Sequence, residues 1–219
     1  MPAVERLLNI QRDSERKLGV HTLSGEYEII YCLLDAECMA PKELQSHSRL
    51  APTAFYHTLK RMEQRGFVEA RVNPDDRRGL LYRLADPMRE LVIAQHRGYR
   101  DQVVTNYSFV EPGAHSLDDY RNYIHRSDTV SHLTGDFQIL LYLYLKSGIS
   151  NLQISDVVDV SQTKFNQSLG KLREMGLIEF EKDPDDNRSK RYSVTLAVRH
   201  VLDDLHRRVF GWLEAEAAA

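Results

Sequence analysis

Two stretches of this chain carry side chains suited to gripping a polyanion. Between Thr53 and Arg83 stand seven basic residues, Lys60, Arg61, Arg65, Arg71, Arg77, Arg78 and Arg83. Four acidic ones oppose them, Glu63, Glu69, Asp75 and Asp76. With Phe55, Leu59 and Met62 placed inward at helical spacing, Thr53, His57 and Lys60 point the other way, flanked by Tyr56 and Arg61. Such side chains can contact base edges or phosphates of double-stranded DNA. The second stretch has the stripe Phe165, Leu169, Leu172. It turns Thr163, Asn166 and Gln167 outward, with Lys164 and Lys171 nearby. Asn and Gln pair bidentately with adenine. A polar helix face alone is as often merely solvated, so the weight falls on the segment after each stripe.

In both stretches that segment is a basic hairpin. Asn73-Pro74-Asp75-Asp76-Arg77-Arg78-Gly79 is rich in turn formers and lies between two strand-like runs, near 67–72 and 80–84. Its counterpart, Asp183-Pro184-Asp185-Asp186-Asn187-Arg188, lies between runs near 177–182 and 190–195 and is followed by Lys190. Arg78 and Arg188 suit a narrow minor groove, which attracts arginine. Asp76 and Asp186 could pair with them, orienting the guanidinium or simply shaping the turn.

The elements that position these groups come twice. Residues 23–97 recur as 133–207 with a constant offset of 110: Gly25 as Gly135, Phe55 as Phe165, Gly66 as Gly176, Tyr82 as Tyr192. A repeat of this length is a whole small domain. In each copy a helix starts at Gly25 or at Thr134/Gly135. In the first copy, Pro41 and Pro52 sit at the first turns of the next two helices. In the second copy, Ser150 and Ser161 are their N-caps. Gly66 and Gly176 read as the glycines that end the third helix. Longer helices come next, near 87–104 and 197–215, and amphipathic helices precede the copies, at 3–18 and near 117–126. The expectation is a mainly α chain with small β-wings: two winged helix-turn-helix domains in tandem and pseudo-twofold related, residues 1–105 and 116–219, joined by a connector at 106–115.

Composition excludes other classes. The net charge of −3 argues against diffuse nucleic-acid binding, so the local clustering matters more than the total. No apolar run approaches a membrane span, and the N-terminus lacks a signal-peptide pattern. Cys32 and Cys38 form no disulfide framework, which suits the cytoplasm. The nine histidines lack metal-ligand spacing, and no phosphate-binding glycine loop or nucleophile elbow is present. The paired acids sit in hairpin turns, a poor place for acid–base work. The chain reads as a non-enzyme with no metal and no cofactor.

The hairpin residues Asn73 to Leu84 resemble the wing of the MarR (multiple-antibiotic-resistance regulator) family, with its Asp-x-Arg element at Asp76-Arg77-Arg78 and again at Asp186-Asn187-Arg188. Arg173-Glu174-Met175-Gly176-Leu177-Ile178 matches the family's helix-to-strand junction, and Val194-Thr195-Leu196 its wing exit. The resemblance implies a bacterial-type transcription regulator, a repressor, whose wings lie against the minor groove and which a small aromatic or phenolic inducer releases. The family is usually homodimeric, with one such domain per chain. Here two are fused, and the recognition positions, Tyr56-His57 and Asn166-Gln167, depart from the family's frequent Thr/Ser-Arg. The chain is therefore expected to act as a pseudo-dimer on an imperfectly symmetric operator. Pairing of helices 3–18 and 197–215 with a second chain is the competing arrangement. Alternatives are a plasmid-type replication initiator with tandem winged helices, and a winged-helix interaction scaffold that binds no DNA.

Overall fold

The helix-forming and strand-forming patterns of the two copies resolve, in the computed structural model, into two winged helices. Residues 3–76, 78–94, 133–184 and 189–217 are described. The expected connector, the helix near 117–126, most of the wing tip at 185–188 and the end of the helix near 87–104 lie outside them. The chain divides into two units, one of Ala3–Thr22 with Val103–Ala219 and one of Leu23–Gln102.

In the second of these units, α2 (Gly25–Asp35) is capped by Ser24, whose hydroxyl accepts from the Tyr27 N–H. Tyr27, Ile29, Ile30, Tyr31 and Leu33 are all buried, so α2 is apolar around much of its circumference and forms the core's axis. Helices α3 (Pro41–His47) and α4 (Pro52–Gln64) each begin with the expected proline. Phe55, Leu59 and Met62 of α4 are buried, as their spacing requires. Gly66 closes α4 at φ 72°, a conformation that costs other residues dearly. Strands β1 (Val68–Val72) and β2 (Leu80–Leu84) pair antiparallel, Val68 opposite Leu84 and Val72 opposite Leu80. Met39 and Tyr82 exchange both backbone hydrogen bonds, at 2.9 and 2.8 Å, as an isolated bridge on the open side of β2. Residues 86–94 form α5.

The other unit repeats this order with α6 (Gly135–Leu145), β3 (Ile149–Ser150), α7 (Asn151–Ser155), α8 (Gln162–Glu174), β4 (Ile178–Lys182), β5 (Lys190–Val194) and α9 (Leu196–Ala217). Ser150 and Ser161 cap as expected, Thr134 caps α6, and Ser150 forms a full capping box with Gln153. Strand β3, where Ile149 pairs with Tyr192, makes this sheet three-stranded in the order β3-β5-β4. Two residues are too short a run to show in a sequence pattern. Gly176 repeats the positive φ of Gly66, at 67°.

The first turn of α2 lies so close to Leu50 that a Cβ on Gly25 would stand 2.7 Å from its methyl carbon. Gly135 stands in the same relation to Val160, again at 2.7 Å. The repeat thus reaches down to one close approach between helix and loop.

Helix α1 (Ala3–Leu18) precedes the first copy in sequence but packs on α9 of the second. Asp13 is the hub of this pairing. It takes Lys17 at 3.0 Å, Arg16 at 3.3 Å and the Arg208 guanidinium, while Lys17 also reaches Asp204 at 3.3 Å. Those cations, Lys17 foremost and then Arg208, hold the Asp13 carboxyl down to about 2. Glu15, buried, accepts from both the N–H and the hydroxyl of Thr22, at 2.6 and 2.7 Å. Tyr144 of α6 donates to Asp203 of α9 at 2.6 Å; burial and then this carboxylate push its hydroxyl above the ordinary tyrosine range.

Candidate nucleic-acid interface

Burial of Phe55, Leu59 and Met62 fixes the rotation of α4. Thr53, Tyr56, His57, Lys60 and Arg61 are all exposed, as their helical positions require. Tyr56, half exposed, stacks edge-on against Phe55 with ring centroids 5.2 Å apart. On α8, Thr163, Lys164, Asn166, Gln167 and Lys171 are exposed over the buried Phe165, Leu169 and Leu172. Gln162 donates to the Asn166 carbonyl at 3.5 Å, a long contact that leaves the Asn166 amide free to turn outward. Gly170 has open space around it, where the first copy carries Lys60.

The first wing tip is shaped by its own polar side chains. Asn73 Oδ1 accepts from the Asp75 N–H at 3.0 Å, and Asp76 Oδ1 from the Arg78 N–H at 3.0 Å. Asp76 therefore braces backbone, and the exposed Arg78 guanidinium has no carboxylate partner among the described residues. Arg77, Asp186 and Arg188 lie outside the described residues. Lys190 is exposed at the start of β5, with its ammonium 4.2 Å from the centre of the Phe180 ring. Arg173, at the end of α8, approaches the same ring at 5.9 Å. Phe180 remains 43 % exposed. At the equivalent positions, Ala70, Leu80 and Glu63, the first copy carries no such cluster.

Several cations in the basic stretch are already engaged. Arg61 meets Glu26 of α2 at 2.7 Å, and Arg65 meets the same carboxylate at 3.5 Å. Arg83 pairs with Glu69 and Asp86, each at 2.8 Å, and Arg71 with Glu69 at 3.6 Å. In the second copy, Lys171 meets Asp136 of α6 at 2.5 Å. Burial raises the Asp136 carboxyl, but Lys171 first, then the neighbouring Ser168 and the charge of Lys164, outweigh it and hold the group below its ordinary value. The sequence pattern alone did not single out Glu26, Asp136, Arg173 or Phe180 as parts of this face. The first two were detectable, because aligning the copies keeps an acid at 26 and 136 and a base at 61 and 171.

This arrangement presents a polar, partly cationic helix beside a hairpin, twice, with no cluster of metal-ligating side chains among the described residues. Residues 24–80 match the model of the MarR family. Residues 136–179 match that of the winged helix-turn-helix DNA-binding domain. The chain carries two DNA-binding winged helices, the first of them similar to the MarR family. Among curated proteins none matches the chain.

Several solved structures are similar to parts of the chain. A MarR crystal structure is 18% identical, with a TM-score of 0.33, over 57% of this chain and 77% of that one. A MarR transcriptional regulator from Methanosarcina mazei Go1 is 19% identical, with a TM-score of 0.34, over 58% and 81%. A cysteine-to-serine mutant of MarR from E. coli, complexed with operator DNA, is 17% identical, with a TM-score of 0.35, over 60% and 79%. Among the described residues, no helix is long and apolar enough to cross a membrane.

Proposed function

We propose that this chain is a transcription regulator of the MarR type and a sequence-specific repressor. In this reading one chain supplies two unlike reading heads and acts as a pseudo-dimer on a single operator. The observation that supports it most is the pair of outward faces. Thr53, Tyr56, His57 and Lys60 stand on α4, and Thr163, Lys164, Asn166 and Gln167 on α8, all exposed over the same buried stripe. Phosphate contacts would supply most of the affinity, and base contacts in successive major grooves, about 10 base pairs apart, the selectivity. Covalent linkage keeps the second head at high effective concentration, so no second chain is required. The heads differ at Tyr56/Asn166, His57/Gln167 and Lys60/Gly170, so the operator is an imperfect palindrome. Release by a small aromatic inducer belongs to this reading and rests on the family resemblance.

Selection of bound fragments from a random DNA pool tests the proposal, followed by light scattering of the complex on the minimal site. The expected result is one asymmetric motif occupied by one chain. No enriched motif would remove the DNA-reading assignment, and a perfect palindrome bound by two chains would remove the pseudo-dimer. A panel of phenolic acids added to the complex checks the inducer, which is expected to release the DNA.

A further inference from the structure

We propose that the first-turn carboxylates Glu26 and Asp136 are positioning residues. Each holds a cation of its recognition helix off the DNA, and so trades non-specific grip for discrimination. The proposal rests on the DNA reading above.

Four observations carry it. The Glu26 and Asp136 side chains are only 13% and 14% exposed, whereas Arg61 and Lys171 are 59% and 52% exposed. A carboxylate so deeply set needs a partner, and each takes one from the recognition helix. The pairing spans 35 residues in both copies, from 26 to 61 and from 136 to 171. All four residue types differ between copies, yet the signs of charge are kept, while the outward readers change chemistry altogether. A carboxylate in a helix's first turn is favoured by the dipole alone. The dipole, however, gives no reason for a cation to stand at the same place on the next helix but one.

The physical consequence is one of competition. A guanidinium held at 2.7 Å by a carboxylate must give up that pair before it can serve a phosphate. Non-specific affinity scales with the number of phosphates neutralised, so each held cation lowers it. Contacts from Tyr56, His57, Lys60, Asn166 and Gln167 are left to decide the sequence. Among the described residues the first head holds two cations this way, Arg61 and Arg65, and the second holds Lys171.

The test uses the full chain and a short duplex of random sequence across a range of salt. Variants are Glu26→Gln, which keeps shape and hydrogen bonding, Asp136→Asn, Arg61→Ala and E26Q/R61A. The expected result for Glu26→Gln is tighter random-duplex binding, several-fold at low salt. Its log K against log salt slope should be steeper by about 0.9 per released cation. Preference for the selected operator should narrow. E26Q/R61A should move back toward wild type, and Asp136→Asn should follow Glu26→Gln with a smaller change. The inference is overturned if folded Glu26→Gln and Asp136→Asn both keep or lose slope, since a purely structural pair lowers Tm and leaves the slope alone. If Glu26→Gln does not fold, Asp136→Asn decides. A wild-type chain that binds no duplex at any salt would instead remove the DNA reading itself.

Discussion

The two copies hold one frame with different chemistry, and the clearest case lies one turn into the second helix. In the first copy, buried Glu28 takes the backbone N–H of Arg49 at 3.3 Å and also its guanidinium. In the second, the equivalent Gln138 takes the backbone N–H of Asp159 at 2.7 Å and donates to the Leu133 carbonyl at 3.1 Å. An ion pair in one copy is a neutral amide bridge in the other. The backbone contact is common to both, so the loop before the recognition helix is held alike. Glutamate beside Asp159 would set two carboxylates together, which explains why both positions differ at once. The frame thus selects for a filled hydrogen bond, whereas the outward face is free to diverge.

The largest effect should come from breaking that coupling. Arg49→Asp alone leaves two facing carboxylates, one buried, and should cost roughly 3 kcal/mol or more in chemical denaturation. E28Q/R49D, which transplants the second copy's pair, should recover most of this loss. Additive costs for the two changes would show that the copies solve the problem separately. Next come the readers. Ala at His57 or Lys60 should relax one half of the operator, and Ala at Asn166 or Gln167 the other, by about 1–3 kcal/mol for a bidentate contact. A selected motif left intact in both halves by all four would show that α4 and α8 are not the readers.

Wing substitutions should act more mildly. Arg78→Ala should weaken binding more than Arg188→Ala, since Arg77 stands beside the first and Asn187 beside the second, and each should flatten the salt slope by about 1. Equal slopes for wild type and Arg78→Ala would remove the first wing from the interface. Phe180→Ala takes away the ring beneath Lys190 and should cost about 0.5–1 kcal/mol in binding or stability. The matching Ala70 offers nothing to lose. The smallest change is expected at the α1–α9 pairing. Asp13→Asn should lower Tm by roughly 1–3 °C near neutral pH. The folded Asp13 carboxyl is depressed to about 2, so its contribution is present above the unfolded carboxylate value and fades as pH falls through about 2. The wild type and Asp13→Asn should therefore converge in acid, and a difference that persists at about pH 1, below both carboxyl values, would assign the effect to something other than charge.

The sequence by itself determined the repeat, the order of the core helices and wing strands in each copy, the caps at Ser150 and Ser161, the glycine stops at 66 and 176, and the exposed face of each recognition helix. These obey local rules: periodicity, side-chain capping and backbone freedom act within a few residues. Tertiary structure alone decided which cations are free. Arg61 and Lys171 read as outward bases, but each meets a carboxylate 35 residues away. Only packing of α2 on α4, and of α6 on α8, brings them together. Phe180, Lys190 and Arg173 likewise converge only when β4, β5 and the end of α8 are folded. The pairing of α1 with α9 is also tertiary, for Asp13 and Arg208 stand 195 residues apart. Charge is the property a linear reading places least well. Its effect depends on distance in space, and a charge cluster counted along the chain becomes a surface only after neighbours of opposite sign have taken their share.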